Sequence, residues 1–289
     1  MRRAVAFIVA ALLLCASQAG AEEKELRVAV ASMLSPQQTF IEYRKIIEYL
    51  GRKTGRKAGL VQRKGYNQVD RMLKKGEIDA AFISSGPYIT DQDDFGVDLL
   101  GIPVILGKSV FYSYTIVRTD SPFKSLQDLK GKNFAYTDPG SSTGCWYVLD
   151  TLHERGFDPY NFFAKTIYTY GHDNSIEAVY KGLVDGASVN SIIYDFKLAK
   201  GDKDASGTRI IEQSPGYAMP PVVASKRADP ALRKALKMAL LDMHKDPEGR
   251  AILALISVDR FVEAADRDYD SLRKMKKAIS KISKDEKGR

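Results

Sequence analysis

The chain has 289 residues, a formal charge of +8, 44% hydrophobic and 28% charged residues, two cysteines and three histidines. That length allows one large domain or two lobes with sizeable cores. The scattered histidines and cysteines give no ligand spacing for zinc, and no carboxylate cluster resembles a calcium loop, so neither metal nor cofactor is expected.

The first 21 residues, MRRAVAFIVAALLLCASQAGA, run from two arginines through an apolar stretch to small residues ending in Ala19-Gly20-Ala21. This is the pattern of a cleavable secretory signal peptide over 1–21, and it predicts export. The apolar run is short for a membrane span, and the leucines just before Cys15 argue against a lipoprotein site. Without Arg2 and Arg3 the charge becomes +6, and Cys145 is the remaining cysteine, so no intramolecular disulfide can form. Much of the basic excess lies in SLRKMKKAISKISKDEKGR, where signs alternate as on a solvated helix face. Such a balance suits an anionic ligand; no nucleic-acid partner is expected.

LRVAVAS reads as a strand, and QQTFIEYRKIIEYLGRKTG carries Phe40, Tyr43, Ile47 and Leu50 at helical spacing, with Gly51 expected to stop the helix. A second helix, NQVDRMLKKG, closes at Gly76 and feeds the strand IDAAFIS. VFYSYTIVRTDSP is rich in β-branched and aromatic residues and long enough to cross between lobes. Further on, NSIEAVYKG closes at Gly182 and feeds VDGASVNS. With Lys75-Gly76 laid on Lys181-Gly182, Asp79 falls on Asp185, Ala81 on Ala187, Ile83 on Val189 and Ser85 on Ser191, which suggests two lobes built alike. The two strands deliver Ser84 and Ser85, and Asn190 and Ser191, at their carboxyl ends, where ligands collect in open α/β sheets. EQSPGYAMPPVVAS offers a return crossing, and the two helices after it carry Leu232, Leu236, Leu240 and Met243 as a core stripe. The expected fold is α/β, with 22–113 in the first lobe, 114–216 in the second and 217–289 returning to the first.

Between the strand NFAYTD and the helix CWYVLDTLHERG lies DPGSSTG. The first amides of a helix lack intrahelical partners and carry the positive end of its dipole, so this turn favours an anion. Ser141, Ser142 and Thr143 add hydroxyl donors, and Gly140 and Gly144 let backbone approach closely. One hydroxyl would suffice to cap the helix; three between two glycines favour a ligand loop over a plain cap. The pentad Gly140 to Gly144 also fits G-x-S-x-G, with Ser142 as the nucleophile of a serine hydrolase, for which His172 and His244 are the plausible bases. A Walker A loop is excluded, because Cys145 and Trp146 stand where it needs Lys and a hydroxyl. Cys145 reads either as a thiol activated by the helix start or as a buried structural one.

DPGSSTG preceded by SPFKSLQDLKGKNFAYT, then YGHDNSIEAVYKGLVDGASVNS and EQSPGYAMPPVVASK, resembles the PhnD-like periplasmic phosphonate-, phosphite- and phosphate-binding proteins of ABC importers. The resemblance covers nearly all of the chain after the leader. It implies a type II periplasmic binding fold, two α/β lobes on a two-strand hinge, holding a small phosphorus oxyanion for an inner-membrane permease, in a monomer. The family's hydroxyl triplet falls on Ser141, Ser142 and Thr143, its first-lobe tyrosine on Tyr66 and its Gly-His histidine on His172. Its hinge-proximal tyrosine aligns with Phe111, beside Tyr112; Tyr88 is added on position alone. The carboxylates that meet an aminoalkyl ligand's ammonium fall on Ile192 and Pro220, so the expected ligand has no amine. A sensor subunit for a membrane receptor kinase is the alternative use of the same cleft.

Overall fold

The computed structural model describes residues 24–31 and 36–287; the expected signal peptide lies outside them. Strand β1 (Leu26–Val30) is buried on both faces between two parallel neighbours, β2 (Ala58–Gln62) and β3 (Ala80–Phe82). Helix α1 (Pro36–Thr54) joins β1 to β2 and buries Ile46, Ile47 and Leu50, each worth about 1.5–3 kcal/mol. It does not stop at Gly51. It runs to Thr54 and turns at Gly55, whose φ is +67°. Gly51 serves the returning chain instead: a Cβ there would lie 2.7 Å from Ala58 Cβ and from the Arg56 carbonyl oxygen.

Helix α2 (Tyr66–Lys75) ends at left-handed Gly76, and α3 (Ser85–Asp94) starts directly beyond β3. After β4 (Val97–Ile105) the chain crosses through β5 (Val110–Phe111) into β6 (Ser113–Arg118). The second lobe then runs β7 (Asn133–Tyr136), a π turn over Ser142–Trp146 continuing into α4 (Tyr147–Glu154), β8 (Lys165–Tyr168), α5 (His172–Tyr180) and β9 (Gly186–Asn190). It closes with α6 (Ser191–Ala199), the single turn α7 (Lys203–Ser206) and β10 (Thr208–Gln213). The return passes through β11 (Tyr217–Ala218) to β12 (Val222–Ser225), α8 (Pro230–Leu241), α9 (Pro247–Leu255), β13 (Val258–Val262) and α10 (Asp270–Lys287).

These strands make two mixed sheets, ordered β13-β4-β12-β3-β1-β2 and β10-β6-β9-β7-β8, with the crossings β5 and β11 paired antiparallel between them. Leu232, Leu236, Leu240 and Met243 are buried as one stripe against the first sheet. Helix α10 packs on both α3 and α4, so the last stretch of chain serves both lobes rather than the first alone.

The sequence echo holds in space. The Arg27 amide donates to Asp79 Oδ2 at 2.9 Å and the Asn133 amide to Asp185 Oδ2 at 2.8 Å, so each aspartate pins the start of the neighbouring parallel strand. Gly76 and Gly182 both turn at φ 69°.

Candidate functional site

The carboxyl ends of β3, β7, β8 and β9 face one another across the join. From β7 the chain turns through Asp138 and Gly140 into the π turn. Ser141 caps it: its Oγ accepts the Gly144 amide at 2.9 Å, while its carbonyl accepts from both Cys145 and Trp146. The cap reading of this turn is therefore true of Ser141 alone. The Thr143 carbonyl receives Ser113 Oγ and Ser188 Oγ, at 2.6 Å each, which fastens the turn to β6 and β9.

That leaves the hydroxyls of Ser142 and Thr143 buried with no hydrogen-bond partner among the described residues, at the opening of the turn that leads into α4. A buried polar atom without a partner costs about 1–3 kcal/mol. Three more such atoms stand around the same turn: Tyr66 Oη, His172 Nε2 and Asn190 Nδ2. Tyr66 and His172 each follow an extended glycine that offers no side-chain cap and stand first in their helices. Ser84 and Ser141 stand beside Tyr66 Oη without satisfying hydrogen-bond geometry, and burial raises its pKa.

His172 is fixed in one tautomer. Its Nδ1 accepts the Asn190 amide at 3.0 Å, and a backbone N–H can only donate, so Nε2 carries the proton. Burial alone lowers the ring's pKa to about 3, keeping it a neutral donor. The Asn190 Oδ1 accepts the Ile192 amide at 2.7 Å, capping α6 and turning Nδ2 towards unpaired use. The unpartnered set is thus hydroxyl, imidazole and amide donors, the chemistry of an oxyanion cradle.

Several expected residues serve otherwise. Tyr88 turns away: its Oη donates to Asp266 at 2.8 Å and its ring packs on Tyr269 at 4.4 Å, because position 88 lies one turn into α3 on the face towards α10. Gly144 presents no amide to a ligand, since its N–H goes to Ser141 and its carbonyl takes the Thr137 amide; a Cβ would sit 2.5 Å from Thr137 Oγ1. Tyr112 stacks on Tyr114 at 6.4 Å and gives its amide to Ser191 Oγ, beside the join rather than among the unpartnered donors. Cys145 is the structural thiol, with burial pushing it up to about 12. Among the described residues no group of three or more His, Cys, Asp or Glu is placed to hold a metal ion. No described helix is long and apolar enough to cross a membrane.

Sequence reasoning did not reach Asp138. From the second lobe its Oδ2 accepts the Tyr66 amide of the first lobe at 3.3 Å, and its Oδ1 accepts Gly140 at 2.8 Å. It caps α2 across the join, a role that no local pattern announces. The lobes also meet at Gly86, where a Cβ would collide with the Gly140 carbonyl and approach Ser142 N to 3.2 Å. Lys64 Nζ lies 5.3 Å over the Tyr170 ring at the rim.

A serine hydrolase does not fit this arrangement. The nitrogen that could take a proton from Ser142 is His172 Nδ1, and its lone pair is committed to Asn190. Two α/β lobes on paired crossing strands, with donors facing across the join, make up the type II periplasmic binding protein fold. Residues 28–269 match the family described as ABC transporter, phosphonate, periplasmic substrate-binding protein, and the chain belongs to that family.

Among relatives, the phosphate-import protein PhnD of Mycolicibacterium smegmatis is 27% identical over 172 residues, 55% of this chain and 53% of that protein, so the chain spans about half of its length. The binding protein component of an ABC phosphonate transporter from Pseudomonas aeruginosa superposes with a TM-score of 0.82 at 19% identity, covering 88% of this chain and 86% of that one. PhnD1 of Prochlorococcus marinus in complex with methylphosphonate gives 0.79 at 17% identity, covering 90% and 100%. At those identities the two structures establish the fold.

Proposed function

We propose that this chain captures a small phosphorus oxyanion lacking an amine, such as phosphate, phosphite or a small alkylphosphonate, between its lobes and delivers it to an ABC importer. The observation that carries the reading is the set of buried, unpartnered donors on Tyr66, Ser142, Thr143, His172 and Asn190. An oxyanion would pair them and recover the free energy their burial costs. Ile192 and Pro220, onto which the resemblance places the carboxylates that meet an aminoalkyl ligand, offer an ammonium no counter-charge. The relatives named for phosphate import and solved with methylphosphonate support the same ligand class.

The second lobe supplies most of the donors and holds the anion first. The first lobe then closes with Tyr66, and the ligand favours the closed form because it touches both lobes. Export through the leader over 1–21 would place a monomer in the periplasm, with an inner-membrane permease as its partner. Calorimetric titration with phosphate, phosphite and methylphosphonate tests this: Ser142→Ala is expected to weaken binding by about 1–3 kcal/mol, roughly five- to 150-fold. Affinity unchanged for all three removes Ser142 from the site. Tight binding of 2-aminoethylphosphonate with no response to the others overturns the amine-free ligand.

A further inference from the structure

A second feature of the join lies beside the donors. A cavity of about 150 Å³ opens between the lobes, lined on one side by Tyr43, Phe82, Phe261 and Pro220 and on the other by Ile192 and Phe196. It meets the donor cluster at Asn190. Ile83, at its wall, precedes Ser84, which stands beside Tyr66 Oη. Asn190, also at its wall, carries the unpartnered Nδ2 and gives its backbone amide to His172. The charged groups of its lining, Lys108 and Asp195, are exposed and stand on opposite lobes.

Resting on the oxyanion reading, we infer that this cavity is a subsite for an apolar substituent on phosphorus, so that the chain prefers organophosphonates with a four- to six-carbon alkyl or aryl group over the bare anion. The size fits: a cavity of this volume walled by aliphatic and aromatic groups admits a benzene ring. The chemistry fits as well, because the charged groups of the lining, Lys108 and Asp195, stand at the exposed mouth. Each methylene buried there strengthens binding by about fourfold, which sets the scale for the gain. The substituent also bridges the lobes, since Phe82 and Ile192 meet it from opposite sides, and it therefore favours closure.

Calorimetric titration of the full chain with methyl-, n-butyl-, phenyl- and 2-aminoethylphosphonate tests the inference. Butyl- or phenylphosphonate is expected to bind at least ten times tighter than methylphosphonate, and Ile192→Trp, which fills the cavity, to bring that ratio close to one. Should Ile192→Trp fail to fold, Ala199→Phe at the exposed end of the same wall reads the same ratio. Methylphosphonate binding as tightly as the larger ligands, 2-aminoethylphosphonate binding best, or a ratio that survives both fillings overturns the subsite while leaving the oxyanion reading standing. Absence of any phosphonate or phosphate binding overturns both.

Discussion

Gly65-Tyr66 in the first lobe and Gly171-His172 in the second occupy one place in a repeated unit: extended glycine, helix, left-handed glycine, strand, with an aspartate pinning the neighbouring strand. Tyr66 Oη and His172 Nε2 are both buried without partners. What differs is the neighbour each meets. His172 is fixed from within its own lobe by the Asn190 amide, whereas the start of the Tyr66 helix is capped from the other lobe by Asp138. The second lobe is thus organised by itself, while the first acquires its part of the site when the lobes meet. The same backbone yields a rigid holder and a dependent lid because a capping group can come from either side of a join.

The strongest way to break this comparison is to stop the lobes meeting. Gly86→Ala puts a methyl against the Gly140 carbonyl and is expected to weaken phosphate or methylphosphonate binding by about 100-fold, roughly 2.7 kcal/mol, with the unliganded melting temperature unchanged. Calorimetry and thermal unfolding read the two parts. Next, Ser142→Ala in the holder should cost binding more than Tyr66→Phe in the lid, about 1–3 against about 0.5–1.5 kcal/mol. Both should leave the empty protein as stable or more so, since each deletes an unpaired buried hydroxyl. Equal binding losses would show that the lobes share the anion evenly.

The repeated aspartates sharpen the likeness itself. Asp79→Ala is expected to lower unfolding free energy in urea by about 1–2 kcal/mol, and Asp185→Ala by less, because Asp79 is buried and Asp185 half-buried. The smallest effect concerns pH. Burial first, then repulsion from Asp138 on Asp70 and from Asp70 on Asp91, holds both carboxyls above the usual carboxylate range. The folded chain then keeps protons that the unfolded chain releases from about pH 4 upward, so these groups subtract stability as pH rises through that window. Below about pH 6.5 His172 acts oppositely, because it is protonated only when unfolded until its folded pKa of about 3. Asp91→Asn should therefore flatten the loss of melting temperature between pH 6.5 and pH 8; an unaltered slope there rejects the assignment.

Local residue pattern carried the elements well. Glycine stops at Gly76, Gly156 and Gly182 turn left-handed as their neighbours demand, and the Leu232 to Met243 stripe packs as a core face. Gly51 misled, since helix propensity registers the entropy cost of a glycine but not the chain that folds back upon it. Tyr88 misled in the same way: its place after a strand is visible in sequence, and the helix face it takes is set by α10, nearly two hundred residues later.

The sequence by itself determined that strands and helices alternate, that two units repeat, and that Ser141 to Thr143 open a helix, because apolar period, glycine stops and capping residues act over a few positions. Tertiary structure alone decided which of those hydroxyls is spent as a cap, that His172 presents Nε2–H, that Asp138 reaches Tyr66, and that Ile192 and Phe82 face each other over a cavity. Each of these depends on groups brought together by packing across sheets and lobes, where sequence separation carries no distance.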